Sequence, residues 1–159
     1  MDKKLKAFLD LIAFSEGTST SLVTKNDGYD VIVTGINGPA VFMDYSDHPF
    51  ALGGVVVVRE SPRLVSSAAG RYQILARYWR IYKEQLLLKD FSPASQDAVA
   101  LQQIKERVAD PAIEAGNIEH AIAVCSNIWA SFPGNDYGQG GHSMATLKAK
   151  YAELLGKLS

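Results

Sequence analysis

Glu16 closes the run AFLDLIAFSEGT, residues 7–18. It follows Ile12 by four residues, so on a continuing helix it falls about 40° around the axis from Ile12. A carboxyl group among apolar neighbours is poorly hydrated when charged, and its pKa rises. The C-terminal end of a helix carries partial negative charge, which disfavours a second negative charge there. Both effects favour a general acid working near neutral pH. The same position also suits a solvated glutamate at a frayed helix end. Periodicity alone does not choose between these readings.

Other chemistries find less support. His48, His120 and His142 are far apart and none has ligand spacing such as HExxH, so no metal site is expected. There is no GxSxG elbow, phosphate-binding loop or dinucleotide fingerprint. GQGG, residues 138–141, has no lysine after it and reads as a loop. Three segments are rich in amides and aromatics. GRYQ places Tyr72 and Gln73 at an expected helix start, SNIWASFPG supplies Asn127, Trp129 and Ser131, and DYGQ supplies Tyr137 and Gln139. Amides donate and accept hydrogen bonds, as sugar hydroxyls and N-acetyl groups require. Alternatively, Trp129 belongs to the core and the amides to the surface.

Several elements must hold these residues. Leu5, Phe8, Leu9 and Ile12 predict an amphipathic helix over about 3–15, stopped near Gly17. YDVIVTG and PAVFM, joined through Asn37-Gly38, predict a β-hairpin. Val55–Val58 is a further β-rich run. From Gly70 the chain reads helical, with Ile74, Leu75, Tyr78, Ile81 and Tyr82 on one side. Ser92-Pro93 opens a helix to about Val108, with Ala94, Ala98, Leu101 and Ile104 inward. A short helical turn over 111–116, a segment capped by Asn117 and a last helix capped by Ser143 complete the pattern. The expected class is α+β, mostly helical, with a small antiparallel sheet in the N-terminal third.

The 159 residues suit one domain over 1–159, and 47% apolar with 21% charged residues marks a globular chain. A net charge of −1 gives no reason to expect a nucleic-acid partner. Cys125 is the sole cysteine, so no internal disulfide is possible. MDKKLKAFLDLIAF imitates a signal peptide, but Asp10 interrupts its apolar run and no small-residue cleavage site follows promptly. A soluble product made in the cytoplasm, without stable membrane insertion, is expected.

AFLDLIAFSEGT, GYDVIV, DYSDHP, GRYQ, KDFSPASQDAVALQQIKER, SNIWAS and YGQ together resemble the lambda endolysin family of lytic transglycosylases. The resemblance runs in order along nearly the whole chain. It implies a lysozyme-like α+β fold and cleavage of the β-1,4 bond between N-acetylmuramic acid and N-acetylglucosamine in peptidoglycan, leaving 1,6-anhydro-muramic ends. It places the family's catalytic glutamate on Glu16. It also points to Tyr72, Gln73, Asn127, Ser131, Tyr137 and Gln139 as substrate-binding residues. The implied partner is the peptidoglycan glycan strand, met by a monomer without cofactor. A separate holin would release the enzyme from the host cytoplasm to the periplasm.

TGINGPAVFM and FALGGVVVVRESP look longer than the family's corresponding stretches. The 50–60 segment therefore reads either as a mobile lip or as a buried edge strand. Two rival functions stay open. A hydrolytic lysozyme needs a second carboxylate, for which Asp30, Asp44, Asp47 and Asp136 are available by type. An inactive cell-wall-binding relative needs none.

Overall fold

Helix α1 spans Lys3–Ser15, and the side chain of Asp2 caps it by accepting from the Lys4 and Leu5 amides. Its burial is wider than the expected stripe. Ala7, Phe8, Leu9, Leu11, Ile12 and Ala13 are all fully buried, the mark of a central helix. A computed structural model of the chain describes residues 1–134 and 141–159. These divide into two compact units, 1–16 with 100–159 and 17–99.

In the first unit α1 packs on α4, Asp110–Glu114, and on α6, Met144–Lys157. Between these in sequence lies α5, Ile118–Cys125, capped by Asn117 and burying Ile118, Ala121, Ile122 and Cys125 as the apolar spacing predicts. Ser143 caps α6, which buries Leu147 and Tyr151, while Met144 and Leu154 are half-buried. Phe132 joins this core, edge-on to Phe8 at 6.0 Å and to Trp129 at 6.3 Å.

The second unit carries two antiparallel hairpins. Strands β1, Val31–Gly35, and β2, Gly38–Val41, pair with Val31 opposite Val41. Strands β3, Val56–Glu60, and β4, Arg63–Ser66, pair with Val56 opposite Ser66. The second return strand lacks a glycine or asparagine turn and was not expected. The Ile36 amide donates to the Val57 carbonyl at 2.9 Å, joining the hairpins. That approach requires Gly35, where a Cβ would meet the Val56 side chain and stand 2.7 Å from the Val57 carbonyl oxygen. The 50–60 segment is thus part turn and part strand. Val55 is exposed and Val56–Val58 are half-buried.

Two helical expectations need correction. Gly70–Gln73 form a turn, and α2 spans only Ala76–Gln85. It buries Ala76 and Trp79, leaving Tyr78 and Ile81 41% and 58% exposed. Trp79 sets this face because it packs edge-on against Phe91 at 4.8 Å while its indole N–H donates to Asp47 at 2.8 Å. Helix α3, Pro93–Glu106, straddles the two units and is rotated from the expected face. Ser95, Gln96, Val99, Ala100, Gln103 and Ile104 are buried, whereas Ala94 is exposed and Ala98 and Leu101 are half-buried.

Three helices end in the same hydrogen-bonded turn, with a left-handed residue just past the end. After α4 that residue is Gly116, and the Asn117 amide returns to Ala112. After α2 it is Leu87, with Leu88 returning to Lys83. After α3 it is Val108, at φ 53°, with Ala109 returning to Ile104. A β-branched residue in that region crowds its own carbonyl. Val108→Gly therefore relieves strain at an exposed site. Its urea midpoint is expected to rise, with a gain of about 1 kcal/mol, and a fall would contradict the strain.

Candidate active site

Glu16 is the C-cap of α1, its amide still bonded to the Ile12 carbonyl at 2.8 Å. Gly17 follows at φ 77° and ends the helix. The residue keeps an edge at the surface. Burial nevertheless dominates at its carboxyl and pushes the pKa from 4.5 to about 7. This favours the acid over the frayed, solvated reading. A group that exchanges its proton near neutrality and still reaches solvent meets the basic requirement of general acid–base chemistry.

Neighbouring residues fix this helix end. The Ser15 hydroxyl lies 2.8 Å from that of Ser131. The bond ties the residue before Glu16 to the segment that follows α5. Phe14, one step earlier, stacks on His142 with ring centres 4.8 Å apart, and Lys150 Nζ lies 4.8 Å from the Phe14 ring. Sequence reading did not single out Ser15, because a serine in an apolar helix gives no periodic signal. Nor did it pair His142 with Phe14, which are 128 positions apart by number (142 − 14).

The expected substrate-binding residues divide. In the first unit, Ser131 is half-buried and Asn127 exposed, both in the stretch after α5, while Trp129 is buried in the core. Tyr137 and Gln139 lie outside the described residues. In the second unit, Gln73 sits in the Gly70–Gln73 turn at φ 51°, where its side-chain amide donates to the Gly70 carbonyl at 3.0 Å and the Val31 carbonyl at 3.3 Å.

Tyr72 is a correction. It is 1% exposed, and its hydroxyl donates to Asp97 at 2.6 Å. Tyr29 donates to the same carboxylate oxygen at 2.8 Å, and the buried Arg71 donates to the Tyr72 hydroxyl at 3.2 Å. Burial pushes the Tyr72 hydroxyl pKa up. This network holds the interior of the second unit and leaves Tyr72 no surface for a ligand.

Among the described residues, the other carboxylates considered are held by hydrogen bonds. Asp30 is 4% exposed and accepts from the Thr24 hydroxyl and the Lys25 amide. At Asp47 burial pushes the pKa up, but hydrogen bonds from Trp79, the His48 amide and Lys83 outweigh it and hold the carboxyl low. Asp44 is exposed and held low by hydrogen bonds from Ser46. Asp136 lies outside the described residues. Among the described residues, no group of three or more His, Cys, Asp or Glu is placed to hold a metal ion.

Comparison with known proteins adds to this geometry. A family model described as Endolysin matches residues 6–158. The chain is 55% identical to the endolysin of Escherichia phage lambda over 157 residues, covering 98% of this chain and 94% of that one. It is 54% identical to the endolysin of Escherichia phage P2 over 146 residues, covering 91% and 88%. Among solved structures, bacteriophage lambda lysozyme complexed with a chitohexasaccharide superposes with a TM-score of 0.88 at 54% identity, covering 97% of this chain and 95% of that one. A second structure of lysozyme from bacteriophage lambda gives 0.85 at 52% identity with the same coverage.

The raised pKa of Glu16 has a cost in stability. Near pH 7 the folded chain keeps a proton that the unfolded chain has released, so the cost is full above pH 7. It shrinks as pH falls and vanishes below 4.5, the ordinary value. Glu16→Gln removes it. Urea titration is expected to find this variant more stable at pH 8, by up to about 3 kcal/mol, and equal to the parent at pH 4. Lower stability at pH 8 would contradict the burial of the carboxyl.

Proposed function

The chain belongs to the endolysin family, and from that premise we propose that it is a peptidoglycan lytic transglycosylase with Glu16 as its acid and base. The carrying observation is one carboxyl with a pKa near 7 at the end of a buried helix. Glu16 enters protonated and gives its proton to the glycosidic oxygen between N-acetylmuramic acid and N-acetylglucosamine. The C1–O bond breaks, and positive charge builds on the muramic ring. The ring's own C6 hydroxyl closes onto C1, and ionised Glu16 takes the hydroxyl proton. Glu16 ends protonated, ready for the next bond.

An internal nucleophile replaces a positioned water and gains from proximity. Ordinary hydrolysis requires a second carboxylate. The engagement of Asp30 and Asp47 in structural bonds favours the single-carboxyl route. Gln73, Asn127 and Ser131, with Tyr137 and Gln139, are proposed to contact the sugars; the buried Tyr72 is not. Similarity to a lysozyme solved with a chitohexasaccharide supports a glycan substrate. No described helix is long and apolar enough to cross a membrane. We place residues 1–159 at work as a single catalytic domain and monomer, released to periplasmic peptidoglycan through a separate holin.

Mass spectrometry of a peptidoglycan digest separates the two routes. Anhydro-muramic products, one water lighter than hydrolysis products, are expected. Only reducing-end muramic acid would establish the hydrolytic lysozyme instead. Glu16→Gln is expected to lose about 10²–10⁴-fold in rate with unchanged circular dichroism. The parent rate should fall as pH rises through about 7, because the acid must enter protonated. Parent-like lysis by the variant would overturn the assignment.

A further inference from the structure

Residues 17–99 carry an open, shallow pocket of about 380 Å³ that the proposed chemistry does not use. Its lining combines apolar Val55, Val65 and Leu75 with polar Ser66, Arg77 and Arg80. Val55 and Val65 are 51% and 40% exposed, so solvent reaches this apolar surface. No acidic residue lines the pocket. Among the described residues, neither arginine is ion-paired.

Both guanidiniums are nevertheless steered. Arg77 stacks over the Tyr78 ring at 4.8 Å, and Arg80 Nε donates to the Ala51 carbonyl at 3.4 Å. Arg77 lies in the first turn of α2, which has no acidic residue there. A cation at that end opposes the helix dipole. Two unpaired arginines in one lining with apolar side chains complement a ligand that combines carboxylate with small aliphatic groups. Guanidinium forks match carboxylates in two-point hydrogen bonds.

We propose that this pocket binds the short acidic peptide stems that substitute peptidoglycan glycan strands. Arg77 and Arg80 take the stem carboxylates, and Val55, Val65 and Leu75 take its methyl groups. The inference rests on the transglycosylase reading for its substrate and extends it from the sugar chain to the peptide. A concave pocket of this volume admits a small ligand, which favours a peptide stem over a flat anionic surface.

Two measurements on the full chain test this. The first compares kcat/KM on stem-bearing glycan strands with that on the same strands stripped of peptide by an amidase. The double variant Arg77→Gln/Arg80→Gln is expected to lose about tenfold on the former and stay within about twofold on the latter. An equal effect on both substrates would overturn the pocket's role. The second measurement titrates muramyl dipeptide into isotope-labelled protein. Amide shifts at Ser66, Ser67 and Leu75 are expected in the parent and absent in the double variant. Absence of shifts in the parent, or equal shifts with inorganic phosphate, would refute a peptide site. If the parent cleaves neither strand, the transglycosylase reading fails, while the titration still decides the pocket.

Discussion

A carboxyl group anchored at the C-terminal end of a buried helix is the constraint from which the site follows. Helix α1 buries Phe8, Leu9, Leu11 and Ile12 completely. Each contributes about 2 kcal/mol to folding by leaving water. Together they exceed the cost, up to about 3 kcal/mol, of holding Glu16 near a pKa of 7. Alone, an end residue with an unfavourable charge would fray into solvent. The Ser15–Ser131 bond resists fraying beside Glu16, and Gly17 turns the chain without further helix.

How legible this was depended on whether a residue's type announced its backbone. Gly17 sits in a left-handed position, and the end of α1 was readable from it, whereas the short turn expected over 111–116 stops at Glu114, before left-handed Gly116. Leu87 and Val108 occupy the same kind of position after α2 and α3. Neither residue type prefers that region, so α3 was expected to run on to about Val108. The first hairpin was readable because Asn37-Gly38 announces its turn. The second, turning at Ser61-Pro62, has no such signal.

Faces were misread where polar groups were buried. Gln96 is fully buried, its amide donating to the Tyr29 and Phe91 carbonyls and its oxygen accepting from the Arg71 amide. An apolar-periodicity rule places glutamine outside, and so it rotates α3 by mistake. The same network explains Tyr72. Its ring and hydroxyl are suited to sugars by type, but Asp97 and Arg71 claim the hydroxyl inside the unit. Type and spacing identified Glu16 as a possible acid. Only the contacts could separate a ligand-facing aromatic from a structural one.

The carboxylates show the underlying division. Asp30, Asp47 and Asp97 each accept hydrogen bonds that hold backbone or aromatic groups. At Asp47 such bonds outweigh burial and hold the carboxyl low. Glu16 is shifted by burial alone, with no charge or hydrogen-bond contribution to its pKa. Its proton is therefore exchangeable near neutrality. Hydrogen bonding holds the Asp47 carboxyl low, while burial without such support makes Glu16 costly to fold and able to exchange a proton in either direction.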